Sequence, residues 1–187
     1  MVRATPQTQD DGAYGHLEVG SRIPRVSLPA TSGETLDVVA PTEFTALFLY
    51  PMTGTPGQRL PDGWLGLPGA FGCTAEACGY RDLHDQFRAL GATVFGVSTQ
   101  TTAEQREFAA REHIPYPFLS DSRLLLVQAL RLPTFSVEGQ PPRIKRATLI
   151  VDREGTLRRL LYPVPEPAAD AEVTLAAIQG LRADPPG

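Results

Sequence analysis

Cysteine occurs only twice in the 187 residues, at Cys73 and Cys78, inside the stretch GCTAEACGYRD. Two neighbouring thiols suit redox chemistry, metal binding or simple burial. Redox chemistry needs a thiolate, because the thiolate is the nucleophile. Cys73 falls where a helix is predicted to begin, near Thr74. Free backbone N–H groups and the positive end of the helix dipole favour an anion there, so Cys73 is expected to lose its proton more easily than Cys78. On an intact helix, residues five apart differ by about 140° in azimuth and roughly 7.5 Å in rise, which puts their Cα atoms about 8–9 Å apart. A disulfide allows at most about 7 Å. The pair can therefore bond only if the first turns unwind, which is the behaviour of a switch. A metal site built from Cys73, Cys78 and His84 would lack CxxC spacing and a second Cys/His pair. On the pair alone, redox chemistry and burial of Cys78 as a small core residue both stay open.

The elements that must position these thiols follow from pattern. Val26 and Leu28, then Leu36 and Val38, alternate with polar neighbours about a turn at Ser32-Gly33, which predicts an N-terminal β-hairpin. The apolar runs TALFLY (45–50), ATVFGVST (92–99) and ATLIVD (147–152) predict buried strands. TLRRLLY (156–162) is expected to return against the last of them as a hairpin. One helix is expected from Thr74 to a stop at Gly91, with Tyr80, Leu83, His84, Phe87 and Leu90 at three- and four-residue spacing. His84, on the apolar face, reads as a core histidine. A second helix starts at a Thr101 or Thr102 cap and ends near Pro115, a third caps on Ser120 or Asp121, and a fourth covers DAEVTLAAIQGLRA. Strands alternating with helices predict an α/β protein with a central mixed sheet flanked by helices. A strand leading through a loop to a cysteine-bearing helix start is the thioredoxin-like arrangement. Residues 1–16 are expected to form a flexible tail, and 17–187 a single domain.

Composition narrows the partners. A hydrophobic fraction of 42% and a charged fraction of 20% are ordinary for a globular domain. A net charge of −4 disfavours nucleic acid and anionic membrane surfaces. No apolar run approaches the roughly 18–20 residues of a spanning helix. The first residues show no secretory h-region, so a thiol-reducing cytoplasm is the expected setting, where a close Cys pair favours catalysis over a structural staple.

The same residues carry a resemblance. LFLYP, then Thr55-Pro56-Gly57, then CTAEACGYRD, resemble the active-site segment of peroxiredoxins of the bacterioferritin-comigratory, or peroxiredoxin Q, type, within the AhpC/TSA superfamily. VFGVSTQTTAEQREFAAREHIPYPFLSD and RATLIVDREG extend the similarity over roughly residues 17–180. One departure stands out. In the family pattern Pro-x-x-x-Thr-x-x-Cys, counted from Pro51, Thr55 fits but Gln58 stands in the cysteine's place. Cys73 arrives after fifteen more residues, QRLPDGWLGLPGAFG (58–72), a Gly/Pro-rich insertion.

The resemblance implies a thiol-dependent peroxidase with the thioredoxin-like fold and no cofactor or metal. Cys73 would attack H2O2 or an alkyl hydroperoxide and become a sulfenic acid. Cys78 would resolve it as an intramolecular disulfide, and thioredoxin or a similar reductant would reduce that. Arg146 matches the family's active-site arginine, with Arg143 and Lys145 as nearby competitors. Thr55 would supply a hydroxyl to the peroxide or thiolate, with Thr53 its competitor, and Pro51 would shield the site. Trp64, the only tryptophan, is expected to anchor the insertion, with a lid over the site as the alternative. The protein is expected to be a monomer or weak homodimer. Competing readings are a thioredoxin-like disulfide oxidoreductase, which would want CxxC, and a redox sensor without efficient turnover.

Overall fold

Six consecutive buried residues, Phe44–Leu49, form β3 and set the centre of the protein. In the computed structural model, which describes residues 9–183, β3 lies between β4 (Ala92–Ser98), which runs parallel to it, and β8 (Ala147–Asp152), which runs antiparallel. The sheet is completed by β5 (Phe118–Ser120) beside β4 and β9 (Leu157–Leu161) beside β8. The result is the expected mixed sheet, in the order β5-β4-β3-β8-β9.

Side chains of β3 alternate between two cores, as the period of two demands. Phe44, Ala46 and Phe48 enter one core with α1 (Cys73–Asp82), α2 (His84–Ala89), α3 (Thr102–Arg111) and α5 (Asp170–Ala183). Leu47 and Leu49 enter the other with α4 (Leu125–Leu130) and residues of the hairpin β1 (Ser27–Pro29) and β2 (Thr35–Asp37). The hairpin pairs Leu28 with Leu36. The helices therefore flank the sheet on both faces.

The α3 cap is as the sequence suggests, whereas α4 begins at Leu125 with Leu124 in the N-cap position instead of Ser120 or Asp121. Thr101 and Glu104 form a reciprocal capping box on α3. Both carboxylate oxygens of Asp121 accept backbone N–H groups of α4, Leu126 at 3.1 Å and Val127 at 2.9 Å. The β8–β9 hairpin also forms as expected.

Other features differ. The single helix expected from Thr74 to Gly91 breaks at Leu83, whose φ of −101° and ψ of 4° leave the helical range. Tyr80 before the break and Phe87 after it still bury in the same core, with ring centroids 5.5 Å apart, so the spacing persists and hides it. Residues 1–8 of the expected tail lie outside the described residues, but the chain is already packed at Tyr14. That side chain is 1% exposed, and its hydroxyl donates to the Lys145 carbonyl at 2.7 Å; a buried phenol with a partner fixes the segment around it. The short strands β5, β6 (Thr134–Phe135) and β7 (Arg143–Ile144) had no sequence signal.

Gly96 is where β4 accepts its neighbours. A Cβ there would lie 2.3 Å from the Phe118 ring and 2.6 Å from Phe48. Gly96→Ala overpacks this aromatic core and is expected to cost about 1–3 kcal/mol. Thermal unfolding should show a midpoint several degrees lower; an unchanged midpoint would mean that the rings move aside freely.

Candidate active site

Cys73 is the first residue of α1, and Gly72 caps it with a φ of 101°. That left-handed backbone suits glycine. A Cβ on Gly72 would also sit 2.8 Å from Pro167, so the turn that aims Cys73 is glycine-only for two reasons. Cys73 is 4% exposed and packs in the core between α1 and β3.

Arg146, immediately before β8, reaches this thiol. Its Nη2 lies 3.1 Å from Cys73 Sγ and donates to the Phe71 carbonyl at 2.9 Å; Nε donates to the Gly69 carbonyl at 3.2 Å. Nη1 pairs with Glu76 Oε2, and both side chains of this pair are buried. Of the three candidate cations, Arg146 alone contacts the thiol. Lys145 pairs with Asp11 at 2.6 Å, and Arg143 lines a neighbouring cavity.

The electrostatics correct one expectation. The helix start was expected to make Cys73 acidic, yet burial dominates and pushes its thiol up. Arg146 and the Met52 N–H pull it down, while Glu76 pushes it further up. Burial raises Glu76 itself to about 8, against the pull of Arg146. Glu76 was missed from the sequence, although its place three residues after Cys73 puts it on the same side of the helix.

Thr55 is not brought to the thiol. It is exposed and turns the chain, its carbonyl accepting the Gln58 N–H at 3.1 Å. It lines a polar cavity with Thr53 and Arg143 rather than the one beside Cys73. Thr53 is buried, but its hydroxyl donates to Gln100 Oε1 at 3.1 Å. The insertion between Thr55 and Cys73 explains the separation, since the family spacing that couples the two is broken. Pro51 is buried at the end of β3.

Cys78 is half-buried, and both cysteines are free. Its Sγ faces Glu112 Oε2 at 3.9 Å, and burial raises its thiol. The Ala77 carbonyl before it accepts from the Tyr116 hydroxyl at 2.7 Å, and the Tyr80 hydroxyl after it donates to Asp170 at 2.6 Å. His84 is half-buried, not fully in the core, with its ring 5.7 Å from that of Tyr116. Trp64 is 3% exposed and anchors the insertion against Phe135, centroids 5.8 Å apart. It also walls an apolar cavity beside Cys73.

The pattern of the AhpC/TSA family matches residues 67–160, half of the chain, spanning Cys73, Cys78, Glu76 and Arg146. The chain belongs to the AhpC/TSA family. It is 29% identical over 146 residues to peroxiredoxin Bcp of Bacillus subtilis, covering 75% of this chain and 82% of that protein. It is 26% identical over 170 residues to the chloroplastic peroxiredoxin Q of Gentiana triflora, covering 89% of this chain and 69% of that one. Among solved structures, peroxidoxin BcpB from Mycobacterium tuberculosis superposes with a TM-score of 0.73 at 26% identity, covering 89% of this chain and 99% of that one. The thioredoxin-like fold is thus shared along nearly the whole relative.

Within this family member, Glu76 and Cys73 oppose each other electrically. The Glu76 anion raises the thiol, so removing its charge must lower it. In Glu76→Gln, the pH midpoint of Cys73 alkylation by iodoacetamide should move to lower pH. A move to higher pH would show that Glu76 acts mainly by holding Arg146 in place.

Proposed function

We propose that this protein is a peroxiredoxin, a thiol-dependent peroxidase that reduces H2O2 and alkyl hydroperoxides with Cys73 as the attacking residue. The observation that carries the assignment of Cys73 is the Arg146 guanidinium 3.1 Å from its sulfur, in a chain of the AhpC/TSA family. A fixed cation at that distance favours the thiolate and also negative charge on the leaving oxygen.

The chemistry balances as follows. The Cys73 thiolate attacks the terminal peroxide oxygen and the O–O bond breaks. The leaving alkoxide takes a proton to give an alcohol, or water from H2O2, and the sulfur is oxidised by two electrons to a sulfenic acid. The Cys78 thiol then attacks the Cys73 sulfur, water leaves, and a disulfide forms. A dithiol of the thioredoxin type reduces this disulfide by exchange and is itself oxidised. Such a cycle suits a reducing compartment, which the cytoplasm supplies. Among the described residues no helix is long and apolar enough to cross a membrane.

Resolution requires motion. α1 is continuous from Cys73 to Asp82, and five residues of helix hold two cysteines too far apart to bond. The first turns of α1 must open while Tyr80 stays tied to Asp170 and Thr174. Opening also exposes Cys73, which is otherwise buried.

In a thioredoxin-coupled NADPH assay, Cys73→Ser should lose peroxide turnover altogether; retention of full activity would contradict its role. Arg146→Lys keeps the charge but loses the fork, and kcat/KM is expected to fall about 10²–10³-fold. In Cys78→Ser, peroxide-treated protein should stall as a sulfenic acid or mixed disulfide. Undiminished thioredoxin-coupled turnover by that variant would exclude Cys78 as the resolving residue.

A further inference from the structure

The two-residue link Lys145-Arg146 lies between β7 and β8, outside the ladders of both. Arg146 extends from this link, so its aim at Cys73 depends on what fixes the backbone there. Two contacts hold Lys145 by its main chain. Its N–H donates to the Pro133 carbonyl at 2.9 Å. Its carbonyl accepts from the Tyr14 hydroxyl at 2.7 Å. That carbonyl belongs to the peptide unit that ends at the Arg146 nitrogen, and a peptide unit is planar. Holding its oxygen therefore holds the point from which the Arg146 side chain departs.

Tyr14 is itself firmly seated. Among residues 9–20 it alone is fully buried. Its ring packs against Tyr162, centroids 4.7 Å apart, in one core with Ile144 and Ala147, which flank the link. The segment is pinned on either side of Tyr14. Asp11 pairs with the Lys145 ammonium at 2.6 Å and accepts from the Tyr162 hydroxyl. His16 Nε2 lies 2.9 Å from the Leu130 carbonyl. Cys73 belongs to the core on the other face of the sheet, and Tyr14 lines no part of the cavity beside it. Tyr14 can thus act on the site only through the backbone of the link.

We propose that Tyr14 is a positioning residue for the peroxidase reaction: its hydroxyl fixes the peptide from which Arg146 extends and so keeps the guanidinium on Cys73. The proposal rests on the peroxidase reading above. It gives a role to a segment that the chemistry itself leaves idle.

The test is Tyr14→Phe, which deletes the hydroxyl and keeps the ring. The pH midpoint of Cys73 alkylation by iodoacetamide is read in a Cys78→Ser background, so that one thiol reacts. Arg146 and Glu76 are the charges facing Cys73, with Arg143 and Tyr50 within electrostatic reach. Arg146 favours the thiolate, so loosening it makes the thiol harder to ionise. The midpoint should move to higher pH by about 0.5, a fraction of the roughly 1–3 that an opposite charge at this range commands. Burial pushes the Tyr14 phenol up, and bonds to Lys145 and Tyr162 hold Asp11 at about 2, so neither titrates with the thiol. With Cys78 intact, kcat/KM for H2O2 in the thioredoxin-coupled assay should fall about tenfold, less than the roughly 10²-fold that a 1 Å misplacement can cost. Gly96→Ala is the control for lost stability and should leave the midpoint in place. An unchanged midpoint in Tyr14→Phe would overturn the proposal and leave the peroxidase reading standing. So would an equal move in Gly96→Ala. Absence of peroxide turnover by the wild-type protein would overturn the peroxidase reading instead, and the midpoint would still show whether Tyr14 aims Arg146.

Discussion

A buried guanidinium holds the active site together. Arg146 is 1% exposed, and a charge so placed is tolerated only when it is paired and its donors are occupied. Here every nitrogen is engaged. Two carbonyls of the insertion, Gly69 and Phe71, take Nε and Nη2; Glu76 of α1 takes Nη1; Cys73 receives Nη2 as well. One side chain at the start of β8 thereby joins a central strand, the helix α1 and an inserted loop whose only helical turn is Trp64–Gly66. Removing any partner leaves a buried donor or a buried charge, so the insertion, the helix start and the thiol stand or fall together.

The insertion thus belongs to the site. It parts Thr55 from Cys73 by fifteen residues (58–72) and leaves Thr55 exposed on a turn. In exchange it supplies backbone acceptors to Arg146 and apolar walls beside the thiol. Trp64 against Phe135 keeps it seated, since a loop of Gly and Pro needs an apolar contact to stay ordered. The opposing requirement is opening. Cys73 is buried and Cys78 is beyond bonding reach on an intact helix, so the cycle proposed above needs α1 to unwind at its start. The bonds of Tyr116 to Ala77 and of Tyr80 to Asp170 lie deeper in the helix, where they limit how far the unwinding spreads.

Much of this was legible in residue pattern. The strands β3, β4 and β8 announced themselves as short apolar runs because both faces of the sheet are covered. The Thr101 capping box and the helix DAEVTLAAIQGLRA were equally plain, since their signals are local. Cys73, Cys78 and Arg146 could be named from motif and spacing, and the structure brings Cys73 and Arg146 into contact. What escaped depends on tertiary context. β5 is three residues long, too short for alternation to show. The break at Leu83 keeps the helical period on both sides. Glu76 carries no local signal beyond that of an acid near a helix start; its burial against Arg146 is what marks it. The place of Thr55 was not legible, because a spacing rule cannot report where an inserted loop leads. The acidity expected of Cys73 considered the helix end but not desolvation, and burial pushes the thiol up.

The claim that Arg146 ties the insertion to the catalytic helix is tested most directly by hydrogen–deuterium exchange on Arg146→Met. Exchange should speed up in residues 60–72 and the first turn of α1, while β4 in the sheet centre stays protected as in the wild-type protein. Unchanged protection across residues 60–72 would contradict the account.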